Sequence, residues 1–149
     1  MKKILLVLSL SIFCLPEANA QVEYKIITSV ESIIPSGMGR SRIISANENK
    51  DFKEFTTTQS EEDNSRNKSK RNDIRVKDFD ETKLLNFYNI AGIRFQNIAA
   101  NDAVISSKIN SMVAEGWELA FVNSAVESDA GQNDNQGIFI TRYIFKRTK

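Results

Sequence analysis

The only cysteine, Cys14, lies in an apolar stretch at the start of the chain, and histidine is absent throughout. These two facts constrain the fold more than any other. Once the stretch is cut away, nothing is left to form a disulfide, to ligate zinc or haem through imidazole or thiolate, or to build a Ser-His-Asp triad or Cys-His pair. Stability must then come from packing, which a chain of about 100–150 residues can manage by burying roughly two-thirds of its unfolded surface. The stretch itself reads as a signal peptide. Met1-Lys2-Lys3 is a positive start, residues 4–15 are almost all apolar, and Ala18-Asn19-Ala20 supplies small residues for cleavage before Gln21. The expectation is an exported protein, periplasmic or secreted, made of residues 21–149. Lipidation of Cys14 fits poorly, because Phe13 stands where a small residue belongs. The apolar run also falls short of the about 20 residues a membrane helix needs, and no later segment approaches that length. No stable membrane insertion is therefore expected.

Charge narrows the function classes. The whole chain has 20 basic and 19 acidic residues; removing residues 1–20 takes away Lys2, Lys3 and Glu17 and leaves the two signs equal. A neutral chain has no electrostatic reason to bind nucleic acid or an anionic membrane. No cofactor motif is present, and none is expected to bind. Carboxylate chemistry, oxygen-ligand metals and non-covalent binding stay open.

In the stretch from Val22 to Val30, Val22, Tyr24, Ile26, Thr28 and Val30 recur with the period of two that marks one face of a strand. Pro35-Ser36-Gly37 and Gly37-Met38-Gly39 make a turn, after which Arg40 to Ile44 resumes extended character. Residues 50–58 read as a continuing edge strand. Residues 59–73 (QSEEDNSRNKSKRND) contain no apolar side chain and read as a disordered polar loop, since nothing there offsets the ordering entropy. From Ile74 to Ile98 the chain turns apolar again and reads as extended, with a hairpin interrupted at Ala91-Gly92; Asp80-Glu81-Thr82-Lys83 is the alternative start of a short helix. A helix follows, capped at Asn101 or Asp102, carrying Ile105, Ile109, Met112 and Val113 at helical spacing and ending at Gly116. Trp117 to Val126 is apolar on both faces and reads as a central strand. A polar loop, residues 127–137, leads to a last strand from Ile138 to Lys146.

The strand Glu23-Tyr24-Lys25-Ile26-Ile27, the junction Ala114-Glu115-Gly116-Trp117-Glu118-Leu119 and the final Tyr143-Ile144-Phe145-Lys146-Arg147 together resemble the small bacterial family called domain of unknown function 4177. That resemblance spans Val22 to Val30 and Asn101 to Arg147. It implies a β-α-β-β core with one helix on an antiparallel sheet, and it implies no reaction, cofactor or catalytic residue. The chain departs from the short family pattern in its leader, in the insertion from Ser32 to Ala100 and in the long final hairpin loop.

The fold expected is thus α+β, a single domain with an antiparallel sheet and one main helix packed on one face, and inserted extended segments in the middle. Two strings invite a binding role. Arg40 and Arg42 share one side of an extended segment beside flexible glycines, which suits a carboxylate, a phosphate or an acidic protein surface; solvent-facing strand residues are the plainer reading. Glu127, Asp129 and Asp134 crowd one loop with oxygen ligands of the kind calcium prefers, but their spacing is not that of an EF-hand, and an ordinary hairpin loop explains them. Trp117, beside Gly116, reads as core rather than as a sugar-stacking platform. The function expected is a non-catalytic binding or accessory module that contacts an envelope protein. The alternative is a small-ligand binder or carboxylate-dependent hydrolase built on residues 127–137.

Overall fold

A computed structural model describes residues 21–34, 41–128 and 137–149. Its centre is a five-stranded antiparallel sheet in the order β3-β2-β1-β7-β6, built from β1 (Val22–Ser32), β2 (Arg42–Ala46), β3 (Phe79–Lys83), β6 (Glu118–Glu127) and β7 (Ile138–Thr148). A one-turn helix α1 (Arg71–Ile74) precedes β3, and a small hairpin of β4 (Tyr88–Asn89) and β5 (Gly92–Ile93) leads into the long helix α2 (Phe95–Ala114). The fold is α+β, with α2 packed against one face of the sheet.

Several sequence expectations change at this level. Residues 50–58 form no strand; a short 3-10 helix spans Phe52–Phe55, because the Asp51 carboxylate accepts the Lys53 N–H and starts a turn. The widening strand is instead Phe79–Lys83, extended rather than helical, and it pairs with β2 from Arg42↔Lys83 to Ala46↔Phe79. Residues 56–70 carry neither helix nor strand and are almost wholly exposed. The hairpin around Ala91-Gly92 is present, and Gly92 takes a φ of 113°, a conformation that costs a side-chain-bearing residue energy.

Helix α2 starts at Phe95, two turns before the cap expected at Asn101 or Asp102. Its early inward positions are Asn97, Ile98 and Asn101, two of the three polar, so a sustained apolar periodicity begins only when the helix is already formed. At its other end Gly116 has φ 85°, the Trp117 N–H donates to the Met112 carbonyl at 3.0 Å and the Gly116 N–H to Val113 at 3.0 Å. This is the paired closure that a left-handed glycine permits. Arg147 finishes the junction. Its guanidinium sits 4.3 Å from the centre of the Trp117 ring, donates to the Glu115 carbonyl at 3.3 Å, and pairs with Glu23. A cation at a helix C-terminus is favourable, and stacking on indole adds to it.

The covered face holds a small apolar core of Ile27, Ile43, Leu84, Met112, Trp117 and Phe145, against which Val104, Ile105, Ile109, Leu119 and Tyr143 pack. Towards the Ser32 end of β1 the same layer becomes polar: Ser29, Glu31, Ser41, Asn101 and Thr141 are all buried. Asn101 organises that half. Its side-chain nitrogen donates to the Leu85 carbonyl at 2.7 Å and to Glu31 at 2.8 Å, while its oxygen accepts the Leu85 N–H at 2.8 Å. The chain after β3 is pinned further where Asn97 donates to the Asn86 carbonyl at 2.7 Å and the Ser41 hydroxyl to the Asn86 side-chain oxygen at 2.7 Å. Burial pushes the Glu31 carboxyl above its usual range, the Asn101 hydrogen bond opposing and the charge of Asp102 adding to the rise.

Strand β6, expected at the centre, lies at an edge of the sheet. Its apolar residues on both faces are not enclosed: Phe121, Val122 and Val126 are all exposed. Apolarity on two faces signals surface that could be buried, and in this chain no strand pairs with β6 beyond β7 among the described residues.

Candidate functional site

The face of the sheet turned away from α2 is the largest unexplained feature of the molecule. Strand alternation and register decide its membership. On β1 it comprises Val22, Tyr24, Ile26, Thr28 and Val30, the five residues whose spacing marks the strand in the sequence. Their neighbours Ile27, Ser29 and Glu31 point to the helix and are buried. Pairing then carries the face outwards: Ile26 opposes Ile144, Ile144 opposes Phe121, and on the other side Ala46, beside Ile26 by continuation of the Ile27↔Ser45 register, opposes Phe79. One row across all five strands is thus Phe79, Ala46, Ile26, Ile144 and Phe121, without a polar side chain.

These residues meet water. Tyr24 keeps 62% of its surface exposed, Ile26 51%, Phe79 48% and Phe121 63%, where Ile27, one residue from Ile26, keeps 2%. Isolated exposed apolar residues are ordinary, but a contiguous row with aromatic ends crossing a whole sheet is not. Near the β2–β3 side the surface dips into a hollow of about 360 Å³ lined by Ile26, Thr28, Ile44, Ala46, Val76 and Phe79. Charges frame the row. Arg42 pairs with Glu81 at 2.7 Å on one side, Lys146 pairs with Glu118 at 3.2 Å on the other, and Arg142 stands exposed opposite Thr28.

The residues singled out in the sequence distribute unevenly over this surface. Arg42 belongs to it, at the rim of β2, bonded to Glu81. Arg40 lies outside the described residues. Glu127 ends β6 on the same face, opposite Ile138 and exposed, three strands from Arg42 and so about 14 Å across the sheet. Asp129 and Asp134 lie outside the described residues. Arg42 and Glu127 are therefore not brought into one site. Trp117 is core, 8% exposed, as its position beside Gly116 suggests. The β1 alternation groups these residues on one face, but it carries no sign of whether that face is covered.

Elsewhere the described residues offer little for chemistry. A shallow groove of about 470 Å³ between α2 and β3 is lined by Thr82, Ala103, Val104, Ser107, Lys108 and Ser111, with no carboxylate in its wall. Among the described residues no cluster of acidic side chains is grouped to hold a metal ion. Among the described residues the one buried carboxylate, Glu31, is held by Asn101 beneath the helix. Tyr143 is half-buried on the same layer; burial raises its hydroxyl's pKa, a contact with Ser29 opposes this, and the charges of Glu31 and Asp102 add to it. No helix among the described residues is long and apolar enough to cross a membrane.

Compared with known proteins, the chain matches no family model, no curated protein sequence and no solved structure. The likeness drawn from residues 23–27, 114–119 and 143–147 accordingly rests on those residues alone.

Proposed function

We propose that this chain is a non-catalytic, exported interaction module that works by laying the open face of its sheet on a protein surface. The observation that carries the reading is the row Phe79, Ala46, Ile26, Ile144 and Phe121, an apolar strip crossing the whole sheet that the chain's own helix does not cover. Burying such a strip yields roughly 25 cal/mol for each Å² removed from water, while its framing charges supply register rather than raw affinity. The central apolar patch with a charged rim is the usual anatomy of a protein-docking surface. A catalytic role finds less to build on: Glu31 is satisfied by Asn101 beneath the helix, and Glu127 stands exposed at a strand end. Export places the module in the cell envelope or outside it, on the strength of residues 1–20.

The test uses the full coding length in the cell that makes it, with a photo-crosslinking phenylalanine derivative in place of Tyr24 in one strain and of Ser106, exposed on α2, in another. Discrete protein adducts from position 24 and not from position 106 are the expected result. Equal labelling from both positions, or none from position 24, would contradict the docking role of the face.

A further inference from the structure

The open face is complementary to itself, and we infer that the partner it takes is a second copy of this chain, stacked face to face to close a sandwich around the row through Ile26. The inference rests on the docking role proposed above and names its occupant.

The symmetry can be worked out from the register. Two copies facing each other must be related by a twofold axis lying between the sheets. With that axis running along β1, the outermost strand of one copy covers the opposite outermost strand of the other, so β6 lies over β3 and β7 over β2. Phe121 then meets Phe79, Ile144 meets the small Ala46, and Ile26 meets Ile26. The hollow beside Phe79 and Ala46 is where the facing Phe121 and Ile144 arrive, a projecting edge matched to a recessed one. Tyr24 meets Tyr24 at one end of the strip and Val30 meets Val30 at the other.

The charges agree with this axis. Arg142, on β7, comes down next to Glu81, the β3 neighbour of Ile44, and Glu127 at the end of β6 comes down just beyond Lys83 of β3. Opposite signs therefore meet twice in each half of the pair. The other symmetric stacking, with the axis across the strands through the Ile26 row, sets Lys146 over Arg142 on the same strand, like over like. Like charges brought face to face select against it.

Area is sufficient. Five strands about 4.8 Å apart, with side-chain rows about 6.8 Å apart, give the face roughly 600 Å² in projection per copy. Two copies bury about 1,200 Å² before side-chain relief is counted, the lower bound for a specific stable interface. Sheets packed this way lie about 10 Å apart, with strands about 30° from alignment.

The experiment takes protein expressed from the full coding length in a Cys14→Ser background, and measures mass by sedimentation equilibrium together with crosslinking by a short bismaleimide. The parent is expected to sediment with twice the chain's mass at tens of micromolar. Tyr24→Cys should crosslink into a covalent dimer and Ser106→Cys should not. Phe121→Glu and Ile26→Glu should each weaken the dimer at least tenfold, and a helical and sheet signal unchanged in circular dichroism separates this from misfolding. Arg142→Glu should weaken it, and pairing Arg142→Glu with Glu81→Arg should restore it. A single-chain mass at every concentration, or a dimer that crosslinks equally through Ser106→Cys, overturns the inference. The photo-adduct formed at position 24 keeps the two readings apart: an adduct of twice the chain's mass supports both, an adduct with a different protein refutes the second copy while the docking face stands, and no adduct refutes both.

Discussion

The two faces of one sheet divide the work of this molecule unequally. The face under α2 encloses six large apolar side chains and fills its remaining space with serines, Asn101 and a carboxylate. The face turned away carries Tyr24, Ile26, Phe79 and Phe121 in water. Apolar pattern and burial by the chain's own fold are therefore separate properties. A strand's alternation reports which residues belong together; what covers them is decided by where the helix lands, and here it lands on the face of Ile27, Ile43 and Phe145. Ser29 and Ser45 are buried on that face together with Met112 and Trp117. The surplus apolar surface of Tyr24, Ile26, Phe79 and Phe121 stays exposed.

Substitutions can break or sharpen this contrast. The largest effect is expected at Phe145, which is 0% exposed in the middle of the covered face. Phe145→Ala should lower unfolding free energy by about 3–5 kcal/mol in denaturant titration, through lost transfer energy and the cavity left behind. A cost comparable to that of an open-face alanine would dissolve the distinction. Next comes Asn101→Ala, which strands the Leu85 N–H and carbonyl and leaves Glu31 without its donor. About 3 kcal/mol of destabilisation is expected from unpaired buried groups, even though a methyl group is a better helix former than an amide.

Glu31→Gln tests the polar half through pH. The folded-state pKa of Glu31 is raised, so the folded chain binds its proton more readily than the unfolded one does. Its contribution to stability is then fullest below the unfolded value near 4.5 and is lost as pH rises through the folded value. Glutamine keeps an oxygen for Asn101 without the charge, and should raise the melting temperature at pH 7 by more than it does at pH 5. Glu23 and Glu48 shift the other way, lowered first by the Lys149 hydrogen bond and by the Lys77 N–H respectively, and both are unchanged in the variant. Comparing variant with parent at each pH therefore isolates Glu31. The smallest effect belongs to the rim of the open face: Arg42→Ala removes an exposed ion pair with Glu81 and should cost no more than about 0.5 kcal/mol of stability.

Much of the architecture was legible in the residues. The β1 and β7 alternations, the stop at Gly116 and the burial of Trp117 each follow from local physics, and together they yield the α+β class. The first two turns of α2 were hidden, because Asn97 and Asn101 take inward positions and hydrogen-bond rather than pack, leaving Ile98 as the apolar inward residue there. The edge position of β6 was hidden as well, since apolar residues on both faces look the same whether a neighbour covers them or a partner does. Arg42 was read as a candidate contact and does lie on the candidate surface, but the stronger signal was the row through Ile26. A single chain's pattern carries no record of which side its helix will choose.

Ile26 and Ile27 are adjacent in sequence, identical in chemistry and opposite in facing, so they put the account to its sharpest test. Denaturant unfolding of Ile26→Glu and Ile27→Glu, in dilute solution where self-association contributes nothing, compares the two faces directly. The account predicts that Ile26→Glu unfolds cooperatively within about 1 kcal/mol of the parent, as exposed substitutions do. Ile27→Glu, which buries an unpaired charge, should show no cooperative transition at all. Equal losses from both, or a greater loss from Ile26→Glu, would contradict it.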